Sequence, residues 1–499
     1  MIQKLKKNKK AVLILLVVVF LIVMLAFLYF NFFIKPNLQK SDYSKLTWTE
    51  AFDKLHHRIS KEYAFTTWKG IDWEKHYDEY GAMIRTAQEK NDFNDYYIAL
   101  RNYLHGLPDG HVGCTNLRNI DKQYIGGGYG LSVAKLDDAS IITTWVDESG
   151  PAWESGIRTG AQLLQWNGLD AREAITAVST VFTNNSATQA DLELKQTQYI
   201  VRAPIGTEVI VSFINEGETK PQEAFLTAYD DNNKSLKKNY PDAVVSDRLR
   251  DAILEIENPN PMPEAMIEKR NLPGGISYIR IWGEFDADLR QTGKAPSTLE
   301  LFRQAVEEAI ESQSSGIILD LRNNMGGLDE MAAAMLGSFY PAKTFYEYQN
   351  AYNQKTGKRE ILTADPKTGA QALSINPAKH CYKGRIIALI NTKCISSGEG
   401  IAMGIRNLPN GDTLGFYGTN GSFGLSGPEA LMPGNIIVRW PSGQSLDENK
   451  MIQLDSREGV GGVAPSIRIP MNAENAIRIA NGQDVELEEA IRALMSQSN

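Results

Sequence analysis

The sequence predicts a mixed α/β (α+β), multidomain chain. Three stretches carry that prediction: helix-period apolar residues from Leu46 to Leu107, a β-rich unit between Gly126 and Tyr229, and alternating β and α patterns from Gly274 onward. At 499 residues with 42% hydrophobic and 22% charged content, the chain fits two to four domains with sizeable buried cores. The net charge of −8 argues against a nucleic-acid partner.

Residues 1–34 read as a cytoplasmic lysine-rich tail and a membrane anchor. Lys4, Lys6, Lys7, Lys9 and Lys10 precede an apolar run from Ala11 to Phe33 broken only by Asn31, which matches the ~20 residues that cross a bilayer as a helix. Tyr29, Phe30 and Phe32 suit the far interface, and the lysines place the N-terminus in the cytoplasm. The competing reading is a cleaved signal peptide, but the apolar run is long for one and ends in bulky aromatics instead of small residues. With a retained anchor, the rest of the chain is extracytoplasmic and attached to the cell membrane by a single span.

After a polar linker from Lys35 to Asp42, residues 43–118 form a helical domain. Trp48, Ala51, Phe52, Leu55 and Ile59 recur at helical spacing, as do Tyr97, Leu100 and Leu104, giving three or four helices. The domain closes on Leu107-Pro108-Asp109-Gly110-His111, a turn that presents one of only six histidines. His105, the rival, sits at helical spacing from Arg101 and reads as structural.

Residues 123–230 form the β-rich unit. Strand patterns flank a short helix that opens at Pro151, and the expected closing strands are Tyr199 to Arg202 and Thr207 to Phe213. Residues 177 to 196 exceed what the pattern requires and read as a lid or loop. The series Pro151-Ala152, Gly156-Ile157, Gly160 and Asn167-Gly168 resembles a bacterial-type PDZ domain. That resemblance implies peptide capture by strand addition beside Tyr129, Gly130 and Leu131.

Asp230 to Asp242 reads as a linker, and residues 243–499 as an α/β core. Its expected elements are a strand at Gly275–Ile281, a helix at Leu299–Ser312, a strand at Gly316–Leu321, a helix at Leu328–Phe339 and a strand at Ile386–Asn391. The last strand breaks into Thr392 to Gly400 before a helix-like stretch from Ile401 to Arg406. A sharp strand-to-helix turn exposes a hydroxyl and leaves the next amide free at a helix N-terminus. Ser396 is therefore the candidate nucleophile and the Ser397 N–H one arm of an oxyanion hole. The turn Arg322 to Gly327 ends another strand, and Gly326 and Gly327 let backbone amides approach a ligand as the second arm. Cys394 remains an alternative nucleophile by spacing. Cys114, Cys381 and Cys394 permit at most one disulfide and match no metal-ligand spacing, so neither metal nor cofactor is expected.

Three segments in this order, Leu319-Asp320-Leu321-Arg322-Asn323-Asn324-Met325-Gly326-Gly327, Ile390-Asn391-Thr392 with Ser396-Ser397-Gly398-Glu399, and Gly415 with Thr419-Asn420-Gly421-Ser422-Phe423-Gly424, resemble the C-terminal-processing (tail-specific) serine peptidase family. The resemblance implies a ClpP/crotonase-like peptidase core, polypeptide substrates and Ser396 as nucleophile. The Ser/Lys members of that family carry a lysine where this chain has Gly421 or Ser422, and no lysine lies between Lys393 and Lys450. The chain is more similar to the histidine-type, tricorn-core-like branch, which implies His111 as general base and Glu458 as its carboxylate partner, with Asp109 and Asp455 as rivals. That branch has a serine before the histidine where this chain has Gly110.

An imidazole base suits the chemistry, because a serine hydroxyl is a weak nucleophile until its proton is taken up. The expectation is a membrane-anchored extracytoplasmic serine endopeptidase. The alternatives are a catalytically inactive relative acting as a peptide-binding module and a core that binds an apolar small molecule.

Overall fold

The computed structural model describes residues 40–244, 265–287 and 296–496. The anchor expected at residues 1–34 lies outside the described residues, among which no helix is long and apolar enough to cross a membrane.

The core sheet runs in the order Ile267–Leu272, Ile276–Ile281, Gly316–Asp320, Ile386–Leu389, Gly411–Gly415 and Ile467–Arg468. The first pair is antiparallel and the remaining neighbours are parallel. Gly316–Asp320 and Ile386–Leu389 are buried along their whole length, which is why both read as unbroken apolar runs. Alternate residues serve opposite faces. Ile317, Leu319, Ile386 and Ala388 pack with the helices Thr298–Glu311, Asp329–Leu336 and Ser397–Arg406. Ile318, Ile387 and Leu389 pack with Ala473–Ala480 and Val485–Met495. Because Gly316–Asp320 and Ile386–Leu389 are adjacent and parallel, the loops at their carboxyl ends emerge side by side.

A second sheet was not anticipated. Ser41–Asp42, Gly424–Met432, Ile436–Leu446, Thr344–Asn353 and Lys358–Ile361 lie in that order, with Ala372–Ile375 paired to Thr344–Asn353 and Gly113–Cys114 to Ile436–Leu446. The helical domain, made of Trp48–Glu62, Trp73–Lys90 and Phe93–His105, is built onto this sheet. Phe52, Leu55, Tyr96 and Leu100 share one apolar cluster with Met432, Ile436, Val438 and Trp440. The pairs Gly113↔Arg439 and Cys114↔Val438 fix the chain two residues beyond His111 to the core.

The β-rich unit holds Gln222–Thr227, Glu208–Ile214, Gln162–Trp166, Ile141–Val146 and Leu131–Lys135 in that order, and the short helix Pro151–Glu154 opens at the expected proline. Two expectations change. Tyr199 ends a helix, Gln189–Tyr199, instead of opening a strand, because the Thr188 side chain accepts from the Asp191 amide and starts a helix inside the presumed lid. The strand expected at Thr207 to Phe213 is present as Glu208–Ile214, and its closing partner is Gln222–Thr227. The presumed linker is also structured: Lys234–Lys237 is helical, and Asp231 is pinned by a fully buried ion pair with Arg202 at 2.7 Å.

Candidate active site

Ser396 stands at the junction of the Ile386–Leu389 strand loop and the Ser397–Arg406 helix, with φ 59° and ψ −131°. A non-glycine residue in that region is strained, and strain of this kind collects at functional turns. Two bonds hold it there: the Ser396 amide is shared between Ser422 O and Glu399 Oε2, each at 3.1 Å. Glu399 is fully buried and also accepts from Thr419 Oγ1 and from the Gly421 and Ser422 amides. Burial raises its carboxyl to about 7 against these stabilising bonds.

Ser396, His111, Gly326 and Gly327 line one cavity of about 920 Å³. Gly326 faces Ser396 directly: at φ +74°, a Cβ on it would fall 2.6 Å from the Ser396 Cβ. Its amide is spent on Asn324 Oδ1 at 2.8 Å. Among the described residues, the Gly327 and Ser397 amides have no acceptor. These two amides are the donors left free beside Ser396.

His111 reaches the same cavity from the helical domain. Its imidazole is largely buried, and burial lowers its pKa while Asp109 opposes the shift. Asp109 Oδ1 accepts the His111 amide at 2.9 Å and lies 3.7 Å from Nδ1. The other carboxylate oxygen of Asp109 accepts from Tyr63 Oη at 3.0 Å. Behind it, Lys69 Nζ lies 3.7 Å from Asp109 and 2.8 Å from Asp455, and donates to Pro108 O at 2.6 Å. Burial works against the Lys69 charge, but the two carboxylates outweigh it and hold its pKa above the usual lysine value. Ser396 and His111 do not hydrogen-bond to each other here, and such contacts often tighten only in the Michaelis complex.

Glu458 does not join this group. It is exposed at φ 55° on a turn that lines a separate pocket with Thr67, Trp68 and Gly459. The carboxylates near the histidine are Asp109, and one lysine further back, Asp455. Cys394 is fully buried and absent from the cavity lining, and burial pushes its thiol well above the ordinary range. His105 Nε2 donates to Thr183 O, and burial lowers its pKa to about 3, consistent with a neutral structural ring.

Tyr129, Gly130 and Leu131 lie away from the cavity. Tyr129 packs edge-on against Trp166, and Leu131 is fully buried. Ser132 beside them donates to Ser235 O at 2.6 Å, so the Asn233–Asn239 segment crosses this end of the strand. Further along, a cavity of about 440 Å³ opens between Val133 to Leu136 and Ala190, Leu194 and Thr197 of the Gln189–Tyr199 helix. The opposite face of that helix, through Asp191, Lys195 and Tyr199, walls the Ser396 cavity. Sequence reasoning missed this shared wall, because the helix lies inside the stretch read as a lid.

Residues 275–469 match the peptidase family S41 model, and residues 44–96 match the tricorn protease C1 domain model. No curated protein matches the chain in sequence. Among solved structures, mature CPAF complexed with lactacystin superposes with a TM-score of 0.60 at 16% identity, covering 90% of this chain and 98% of its own. A second structure of mature CPAF superposes with a TM-score of 0.60 at 16% identity, covering 91% of this chain and 98% of its own. At such identity the likeness establishes the fold, which spans nearly the whole of both chains. The family match covers both loops that meet at Ser396, and residues 275–469 form a peptidase family S41 core of the serine type.

Proposed function

We propose that this protein is a membrane-anchored, extracytoplasmic serine endopeptidase in which Ser396 is the nucleophile, His111 the general base and Asp109 the carboxylate that orients it. The observation that carries the reading is the convergence of Ser396, His111 and the Gly326-Gly327 turn on one cavity. A neutral imidazole takes the Ser396 proton as Oγ attacks the scissile carbonyl, then returns it to the leaving amine. The Ser397 and Gly327 amides stabilise the oxyanion. Asp109 balances the imidazolium, and Lys69 balances Asp109 and Asp455 in turn. The anchor at residues 1–34 holds the site on the outer side of the membrane, and the PDZ-like unit presents polypeptide substrates.

Casein hydrolysis by the full-length protein in detergent tests this assignment. Ser396→Ala and His111→Ala are expected to abolish turnover, and Glu458→Ala to retain it. Full activity in His111→Ala would remove the histidine from the mechanism. Protease accessibility in sealed vesicles tests the topology: digestion of the catalytic part from the cytoplasmic side would overturn it.

A further inference from the structure

The Ser–His reading leaves one mechanical question, since nucleophile and base arrive on different domains. Ser422 is fully buried and bonded to the turn that carries each. Its carbonyl accepts the Ser396 amide at 3.1 Å, its amide donates to Glu399 Oε2 at 3.0 Å, and its Oγ accepts the Gly110 amide at 2.8 Å. The first two bonds lie within the core. The third crosses to the helical domain, one residue before His111.

Gly110 is shaped for this contact. A Cβ there would lie 2.3 Å from Asn420 Oδ1 and 2.8 Å from Ile395 Cδ1, so the histidine turn is pressed against both the nucleophile loop and the loop that carries Ser422. Asn420 in turn donates to Thr392 O at 2.9 Å, and its amide bonds Cys394 O at 2.9 Å. The loop from Thr419 to Phe423 is therefore bonded to the nucleophile loop along one side and to the histidine turn along the other.

We propose that Ser422 is a positioning residue that sets the register between His111 and Ser396, and that its hydroxyl does so through the Gly110 amide. This inference rests on the Ser396–His111 reading. Without the hydroxyl the Gly110 amide loses its acceptor, and the imidazole is free to settle away from the productive geometry. Misplacement of a catalytic group by about 1 Å costs on the order of 100-fold in rate.

The test is steady-state kinetics on a peptide substrate with active sites counted by fluorophosphonate titration, comparing wild type with Ser422→Ala, Ser422→Cys and His111→Ala. The expected result for Ser422→Ala is near-stoichiometric titration, unchanged KM and a kcat per titrated site lower by roughly 10- to 100-fold. A purely structural role would instead lower the titrated fraction and leave kcat per site unchanged, and that outcome would overturn the proposal. Should Ser422→Ala fail to fold, Ser422→Cys provides the reading. Its thiol is a poorer acceptor in nearly the same volume, an intermediate kcat supports the inference, and a wild-type kcat refutes it. Wild-type turnover in His111→Ala would defeat the underlying assignment, whereas loss there with normal kcat in both Ser422 variants would defeat the positioning role alone.

Discussion

At Ser396 the strain of the turn and the closeness of its neighbours leave little room for substitution. Gly326→Ala places a methyl group 2.6 Å from the Ser396 Cβ at a residue already at φ +74°. It is expected to abolish fluorophosphonate labelling of Ser396 while leaving the far-UV circular dichroism intact, and normal labelling would contradict the packing described. Asp109→Asn keeps shape but removes the charge that balances the imidazolium, and kcat is expected to fall on the order of 1,000-fold with little change in KM. Equal kcat would remove Asp109 as the partner. Burial holds the His111 pKa below the usual histidine value, so the imidazole is a competent base over more of the acidic range. The acid limb of kcat/KM is accordingly expected below about pH 6.5. The place of Ser396 on a strand-to-helix turn was legible in the sequence, because that turn has a local signature. The carboxylate was not: Asp109, Asp455 and Glu458 are separated only by the direction each turn gives its side chain, and Glu458 at φ 55° is carried outward.

Among the elements, those of the core sheet could be read because burial on both faces leaves an unbroken apolar run, as in Ile386–Leu389. The second sheet could not. Ile436–Leu446 contains Pro441, Ser442 and Gly443, which read as a turn, yet the strand continues past them with a register shift opposite Leu425 and Ser426. Thr344–Asn353 carries Tyr, Gln and Asn at mostly half-buried positions and shows no two-residue alternation. The missed sheet is what joins the histidine-bearing domain to the core. Ile436 is fully buried in the cluster shared by both, so Ile436→Ala is expected to cost about 2–5 kcal/mol. Loss of activity and of helical signal should follow one melting transition, and two separated transitions would show that the domains fold independently.

For the whole molecule, stability against pH follows from its buried acids. Burial raises Glu284 to about 8, Glu399 and Glu486 to about 7, and Asp329 to about 6. Each binds its proton more tightly in the folded chain than in the unfolded one, where carboxyls titrate near 4. Their contribution is therefore complete below about pH 4 and is lost as pH rises through about 6 to 8. The melting temperature is expected to fall between pH 6 and pH 9, and a rise over that interval would contradict the burial of these groups. In the proposed mechanism activity gains from a neutral His111 as pH rises, so the working range lies where the base is free and the buried acids are still largely protonated.

In the proposed mechanism a histidine from the helical domain activates Ser396. The most direct measurement is the rate of fluorophosphonate labelling, located by peptide mass spectrometry, in wild type and His111→Ala. Labelling confined to Ser396 in the wild type, with a rate on the order of 1,000-fold lower in His111→Ala, is the predicted result. Equal labelling rates in the two proteins, or modification at Cys394, would contradict it.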